Sequence, residues 1–160
     1  MQKFKNMQFT FDVLANLRAM AQKHIENNTL EQLNTIPEGF NNNIIWNVAH
    51  ILVTTELLAY KLSGLPLHIS DEMVGKYKKD SKPEGDVTQA EVDDIKKLLV
   101  FTTNQLEADY KNGVFKNYTE YTVSTTGNTL TSIDDALQFN LVHEGMHIGY
   151  ILALSRAVKS

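Results

Sequence analysis

The sequence predicts an all-α protein, a four-helix bundle, and three observations carry that expectation. Four long segments repeat apolar residues at helical spacing. Breakers are few, three prolines and eight glycines, and most of them fall between those segments. One of the connections is long enough to cross a bundle, so the helices need not simply alternate up and down. With 160 residues, the chain has the size of one domain, residues 1–160, built on a single core.

The first helix is expected from about Met7 to Asn27, opened by Asn6 or Thr10, with Leu14, Leu17, Ala21 and Ile25 on one face. Residues 26–29 end it, and Thr35 to Asn43, with Pro37 and Gly39, reads as a connecting loop. The second helix starts at the asparagine cluster Asn41, Asn42 and Asn43, whose side chains are good N-caps, and stops at Ser63-Gly64 before Pro66. Most of its circumference is apolar. A narrow stripe of Asn43, Asn47, His50 and Thr54 interrupts it, and a polar stripe in such a helix needs partners. Glu56 is expected on the solvent side.

Beyond Leu65 the periodicity breaks. Ser70-Asp71-Glu72 can cap one or two turns reaching Tyr77, and residues 78–85 read as an exposed polar loop. Thr88 and Glu91 match a capping box that opens a third helix, with Val92, Ile95, Leu99, Leu106 and Tyr110 on one side and Asn112-Gly113 as its end. Residues 114–131, rich in threonine, tyrosine and valine, suit either a short hairpin or an ordered loop. The fourth helix opens at Thr131 or Ser132, carries Asp134 and Asp135 at its positive end, and runs to about Val158.

Composition excludes several functions. A formal net charge of -4 leaves no basic stripe for nucleic acid. The longest apolar segment, Ile44 to Leu62, carries Asn47, His50, Glu56 and Lys61, which argues against a membrane span. No basic stretch leads into an apolar run near the N-terminus, so no export signal is expected and the cytoplasm is the default compartment. Without cysteine there is no disulfide, thiol nucleophile or thiolate ligand, so any metal is held by nitrogen and oxygen.

The chemistry concentrates in the fourth helix. His143 and His147 stand one turn apart in an apolar segment, and residues i and i+4 point the same way, as two ligands of one metal must. Phe139, Tyr150, Ala136, Leu154, Ile151 and Ile133 share their arc, so the pair is expected to face the interior. A lone core histidine is usually structural and hydrogen-bonded; a His-x-x-x-His pair is a stronger signal. Of the other three histidines, His24 reads as a helix-end side chain and His68 as a loop or cap residue. His50 sits on the polar stripe of the apolar second helix, with Asn47 and Thr54 placed to support it, and is the best third ligand. Three neutral imidazoles suit Zn²⁺, Ni²⁺ or Fe²⁺ and leave positions open for water or substrate.

His143-Glu144-Gly145-Met146-His147 also satisfies the H-E-x-x-H pattern of zinc proteases. The extended protease form wants a third histidine six residues after His147, where Ala153 stands, so the third ligand has to come from upstream. Glu144 is the candidate to orient a ligand or act as a base, with a structural hydrogen bond as the alternative.

Trp46-Asn47-Val48-Ala49-His50, followed after a long gap by His143-x-x-x-His147-x-Gly149, resembles the DinB/YfiT-like family of metalloenzymes. The resemblance spans nearly the whole chain. It implies a four-helix bundle of up-down-down-up order, often a homodimer, with a three-histidine metal site that falls by position on His50, His143 and His147. Characterised members of that family include S-transferases that use a low-molecular-weight thiol such as bacillithiol and mycothiol-dependent maleylpyruvate isomerases. A small-molecule thiol or electrophile is therefore the expected partner of a metal-dependent S-transferase, or of a hydrolase in which the metal activates water, and a stress-related metal-binding protein without turnover is the alternative. On the helix face opposite the histidines, Gly145, Gly149 and Ala153 recur at four-residue spacing. Such a stripe admits close backbone approach, either within the bundle or at a dimer contact.

Overall fold

The computed structural model describes residues 2–159, with side chains from Met7 onward. It is predominantly helical: α1 (Gln2–Glu26), α2 (Leu30–Asn34), α3 (Ile44–Ala59), α4 (Asp71–Tyr77), α5 (Gln89–Lys111) and α6 (Ile133–Ala157). A 3-10 turn, Lys61–Ser63, follows α3, and β1 (Tyr121–Thr122) pairs antiparallel with β2 (Thr129–Leu130) in a short hairpin before α6. No described helix is long and apolar enough to cross a membrane.

Capping fixes most of the helix starts. The Asn43 side chain accepts from the Trp46 N–H, Ser70 from Met73, Thr88 from Glu91 and Ser132 from Asp135, each satisfying an N–H that a helix start leaves unpaired. Gly64 ends the segment after α3 in the left-handed conformation (φ 71°), which glycine adopts without steric cost.

Several expectations need correction. Helix α1 begins at Gln2, five residues before Met7, so Asn6 and Thr10 lie inside it instead of capping it. The short α2 was not anticipated; it carries a full capping box between Thr29 and Gln32, although five residues are too few to show periodicity. At α5 only half of the expected box forms. Thr88 caps, but the Glu91 carboxylate is taken by Lys76 and the Tyr77 hydroxyl of the adjacent α4. Glu56 is the largest correction, being 1% exposed. After Gly64 the chain turns back over α3, and Glu56 there accepts the His68 N–H at 2.7 Å. Burial pushes its carboxyl above the usual range, with the bonds to His68 opposing that shift.

Helix α3 is the centre of the molecule. All its residues are buried except Thr54 and Leu57, and these two line a cavity instead of facing outward. It packs on α5 and α6, and α1 packs on the same two helices. Gln8 bonds Glu107 and Glu26 pairs with Lys96, so α1 and α5 run antiparallel. Arg18 meets Glu144 and His24 meets Ser155, so α1 and α6 run parallel. Asn47 reaches His147, and Leu58 clusters with Ala136, so α3 runs against α6. Three apolar clusters fill the interior, and in one of them Val123 and Leu130 of the hairpin segment lie over Leu58 and Ala136.

Candidate metal centre

The antiparallel packing of α3 on α6 brings His50 against His143 and His147. The ring centroids are 5.2 Å apart for His50–His143, 4.7 Å for His50–His147 and 4.6 Å for His143–His147. One nitrogen from each ring lies within 4.8 Å of the other two, a spacing from which three imidazoles could hold one metal ion. The trio lines a cavity of about 400 Å³ between α3, α6 and the hairpin, walled by apolar side chains such as Leu57, Leu58, Val123 and Phe139. His24 and His68 are elsewhere, on Ser155 and Glu56 respectively.

Hydrogen bonds decide which nitrogens are free. The His50 Nδ1 lies 2.7 Å from the Tyr77 carbonyl oxygen, an acceptor only, so Nδ1 carries the proton and Nε2 keeps its lone pair. That carbonyl belongs to the last residue of α4, where helix carbonyls lack an intrahelical partner. At His147, Nδ1 lies 2.8 Å from the Asn47 Oδ1. The Asn47 amide cannot be reversed, because its Nδ2 donates to the Asn42 Oδ1 and the Asn43 carbonyl, both at 2.8 Å. His147 therefore also donates from Nδ1 and offers Nε2. The sequence placed Asn47 beside His50; its amide instead orients His147 across the helix interface. Thr54 stays with His50, its hydroxyl 3.4 Å from Nε2.

All three rings are neutral near pH 7, as ligands must be. Burial drives His143 to about 3, helped by repulsion from His147 and His50, and burial with repulsion from His50 drives His147 to about 4. Burial also lowers His50, against the opposing Tyr77 bond. Trp46 stacks on the His50 ring at 4.6 Å and 11°, closing one side. The His143 Nδ1 is buried with no hydrogen-bond partner, a polar atom that the protein leaves unsatisfied. Three neutral imidazoles, two with their Nε2 lone pairs fixed by outer hydrogen bonds, fit a divalent cation.

The family model of the DinB superfamily matches residues 14–151. The chain belongs to the DinB superfamily. The match takes in all three histidines of this DinB-superfamily chain and reaches Ile151, one turn past His147. No curated protein matches it.

Glu144 does not join the trio. It is fully buried, and its carboxylate receives bonds from the Arg18 Nε at 2.9 and 3.0 Å and Nη2 at 2.6 Å, with the Thr55 hydroxyl at 3.0 Å. The structural alternative is the one its contacts support. Arg18 was not singled out from the sequence, yet there was a signal: it shares its helix face with Leu14 and Ala21, and a cation there needs a buried carboxylate. Tyr77 gave none, since it acts through its backbone. Tyr150, expected to face the interior, is 37% exposed and packs edge-on against Phe40.

The role of Asn47 is open to test. Asn47→Ala removes the acceptor that orients His147 and is expected to weaken metal binding about 10- to 100-fold. Asn47→Asp, which keeps an acceptor, should lose less. Competition against a chromophoric chelator measures both, and equal affinity in the wild type and Asn47→Ala would contradict the assignment.

Proposed function

We propose that this DinB-superfamily chain is a divalent-metal-dependent enzyme that promotes thiol-dependent S-transfer to a small electrophile, with His50, His143 and His147 holding the ion. The observation that carries the reading is the convergence of three neutral imidazoles on the lining of an apolar-walled cavity large enough for a small molecule. A purely structural site would be expected closed on all sides. The helix directions support a single-domain, up-down-down-up four-helix bundle: α1 and α6 run one way, α3 and α5 the other.

A divalent ion in this site supplies Lewis acidity and lowers the pKa of a thiol that reaches it. The protein's own contributions are distinct from that. Tyr77 and Asn47 hold His50 and His147 in one tautomer and one orientation. Leu57, Leu58 and Phe139 keep water away from the reacting groups, and Thr54 offers a hydroxyl beside His50. Glu144 acts at a distance, fixing α6 against α1 and α3 through Arg18 and Thr55.

Monochlorobimane tests the reaction, since thiolate attack at its chloromethyl carbon forms a C–S bond and releases chloride. Thiol-dependent fluorescence above the uncatalysed rate, abolished by a chelator and restored by metal, is the expected result. Inactivity across a panel of low-molecular-weight thiols and electrophiles would favour a stress-related metal-binding protein without turnover.

The same reading includes a homodimer through the outer face of α6. Gly145 and Gly149 are exposed, and a Cβ at either would meet nothing within 4 Å, so the stripe does not serve close packing inside the subunit. Val142, Met146 and Leu152 lie exposed around it. Gly149→Leu should shift sedimentation towards monomer; a persistent dimer, or a monomeric wild type, would overturn the contact.

A further inference from the structure

The charged side chains that line the histidine cavity are of one sign only. Lys61 and Lys79 line it, and no carboxylate among the described residues does, in a chain whose net charge is -4. Neither lysine is in an ion pair among the described residues; Lys79 donates to the Ser124 hydroxyl of the hairpin loop at 2.8 Å. Their places differ in depth. Lys79 follows Tyr77 by two residues, and the Tyr77 carbonyl is bonded to His50, so the Lys79 backbone is held within about 7 Å of that contact. Lys61 stands eleven residues after His50, about 16 Å further along the helix axis, with Leu57 and Leu58 between them.

We propose that the cavity binds a small organic anion, with its reactive end at the three histidines, a short apolar stem along Leu57, Leu58 and Phe139, and its carboxylate or phosphate at Lys61 and Lys79. This rests on the metal-site reading and adds the class of molecule that the site selects. Two cations without a competing carboxylate raise the local concentration of an anion and bind it by charge-assisted hydrogen bonds. The apolar side chains between Lys61 and the histidines gain nothing from an anion alone, so a stem is required as well. Lys79 exchanges its bond to Ser124 for one to the ligand.

The probes are 6-mercaptohexanoate and 6-mercaptohexanol, which share the thiol and the six-carbon stem and differ in the far group. Calorimetric titration of the metal-loaded wild type is expected to show the carboxylate binding about tenfold more tightly, the value of one good charge-assisted contact. That preference should fall with salt and disappear in the Lys61→Gln/Lys79→Gln double variant, whose binding of the neutral alcohol stays within about twofold. Equal affinity for the two probes, no binding of either, or a preference that survives in the double variant would overturn the proposal. Metal content measured on the same samples separates the two readings. A carboxylate preference in protein that takes up no metal upholds the anion site while counting against the metal centre, and a metal-loaded protein without the preference sinks the anion site alone.

Discussion

Arg18→Ala is expected to lower the unfolding free energy by about 3–5 kcal/mol, the usual cost of stranding one member of a buried ion pair. Arg18 is 5% exposed and Glu144 not at all, and their bonds join α1 to α6. The Arg18 Nη2 also donates to the Thr55 hydroxyl at 2.8 Å, bringing α3 into the same knot. Removing the guanidinium leaves a carboxylate in the interior with one hydroxyl for company. The pair as a whole need not stabilise the fold over apolar residues of similar volume, since desolvating both charges costs about what their attraction returns. The double variant Arg18→Leu/Glu144→Leu should therefore recover most of the stability lost in Arg18→Ala. Urea unfolding followed by circular dichroism measures all three proteins. A loss below about 1 kcal/mol in Arg18→Ala would mean that Glu144 is satisfied in some other way. The comparison also bears on function: if the double variant is stable, binds metal and keeps the wild-type rate with monochlorobimane, Glu144 is no base.

Local signals in the sequence carried much of this structure. Asn43, Ser70, Thr88 and Ser132 marked helix starts because a side-chain cap acts over three residues, within reach of pattern reading. The metal candidates were legible for a similar reason. His143 and His147 are one turn apart, and His50 stood out as a polar residue inside an apolar helix that had to find a partner. What escaped depends on distant segments. Glu56 is covered by a turn twelve residues further on, and Arg18 is answered by a carboxylate 126 residues away. The cavity exists because the hairpin segment, through Val123 and Leu130, is propped over Leu58 and Ala136, and nothing in residues 114–131 taken alone foretells that contact. The Tyr77 carbonyl has no side-chain signature at all.

Loss of a ligand should be close to all-or-none. In the proposed centre each histidine is one of three donors, and two of them are fixed by a single outer hydrogen bond each. Replacing one by alanine leaves two imidazoles, which hold a divalent ion far less tightly than three. Neither His50 nor His147 is a large part of the apolar core, so the helical content of the alanine variants should stay near that of the wild type. Elemental analysis of the purified proteins is the direct measurement. The wild type is expected to carry about one divalent metal ion per chain, and folded His50→Ala and His147→Ala to carry little or none. Full metal retention in both variants would contradict the site.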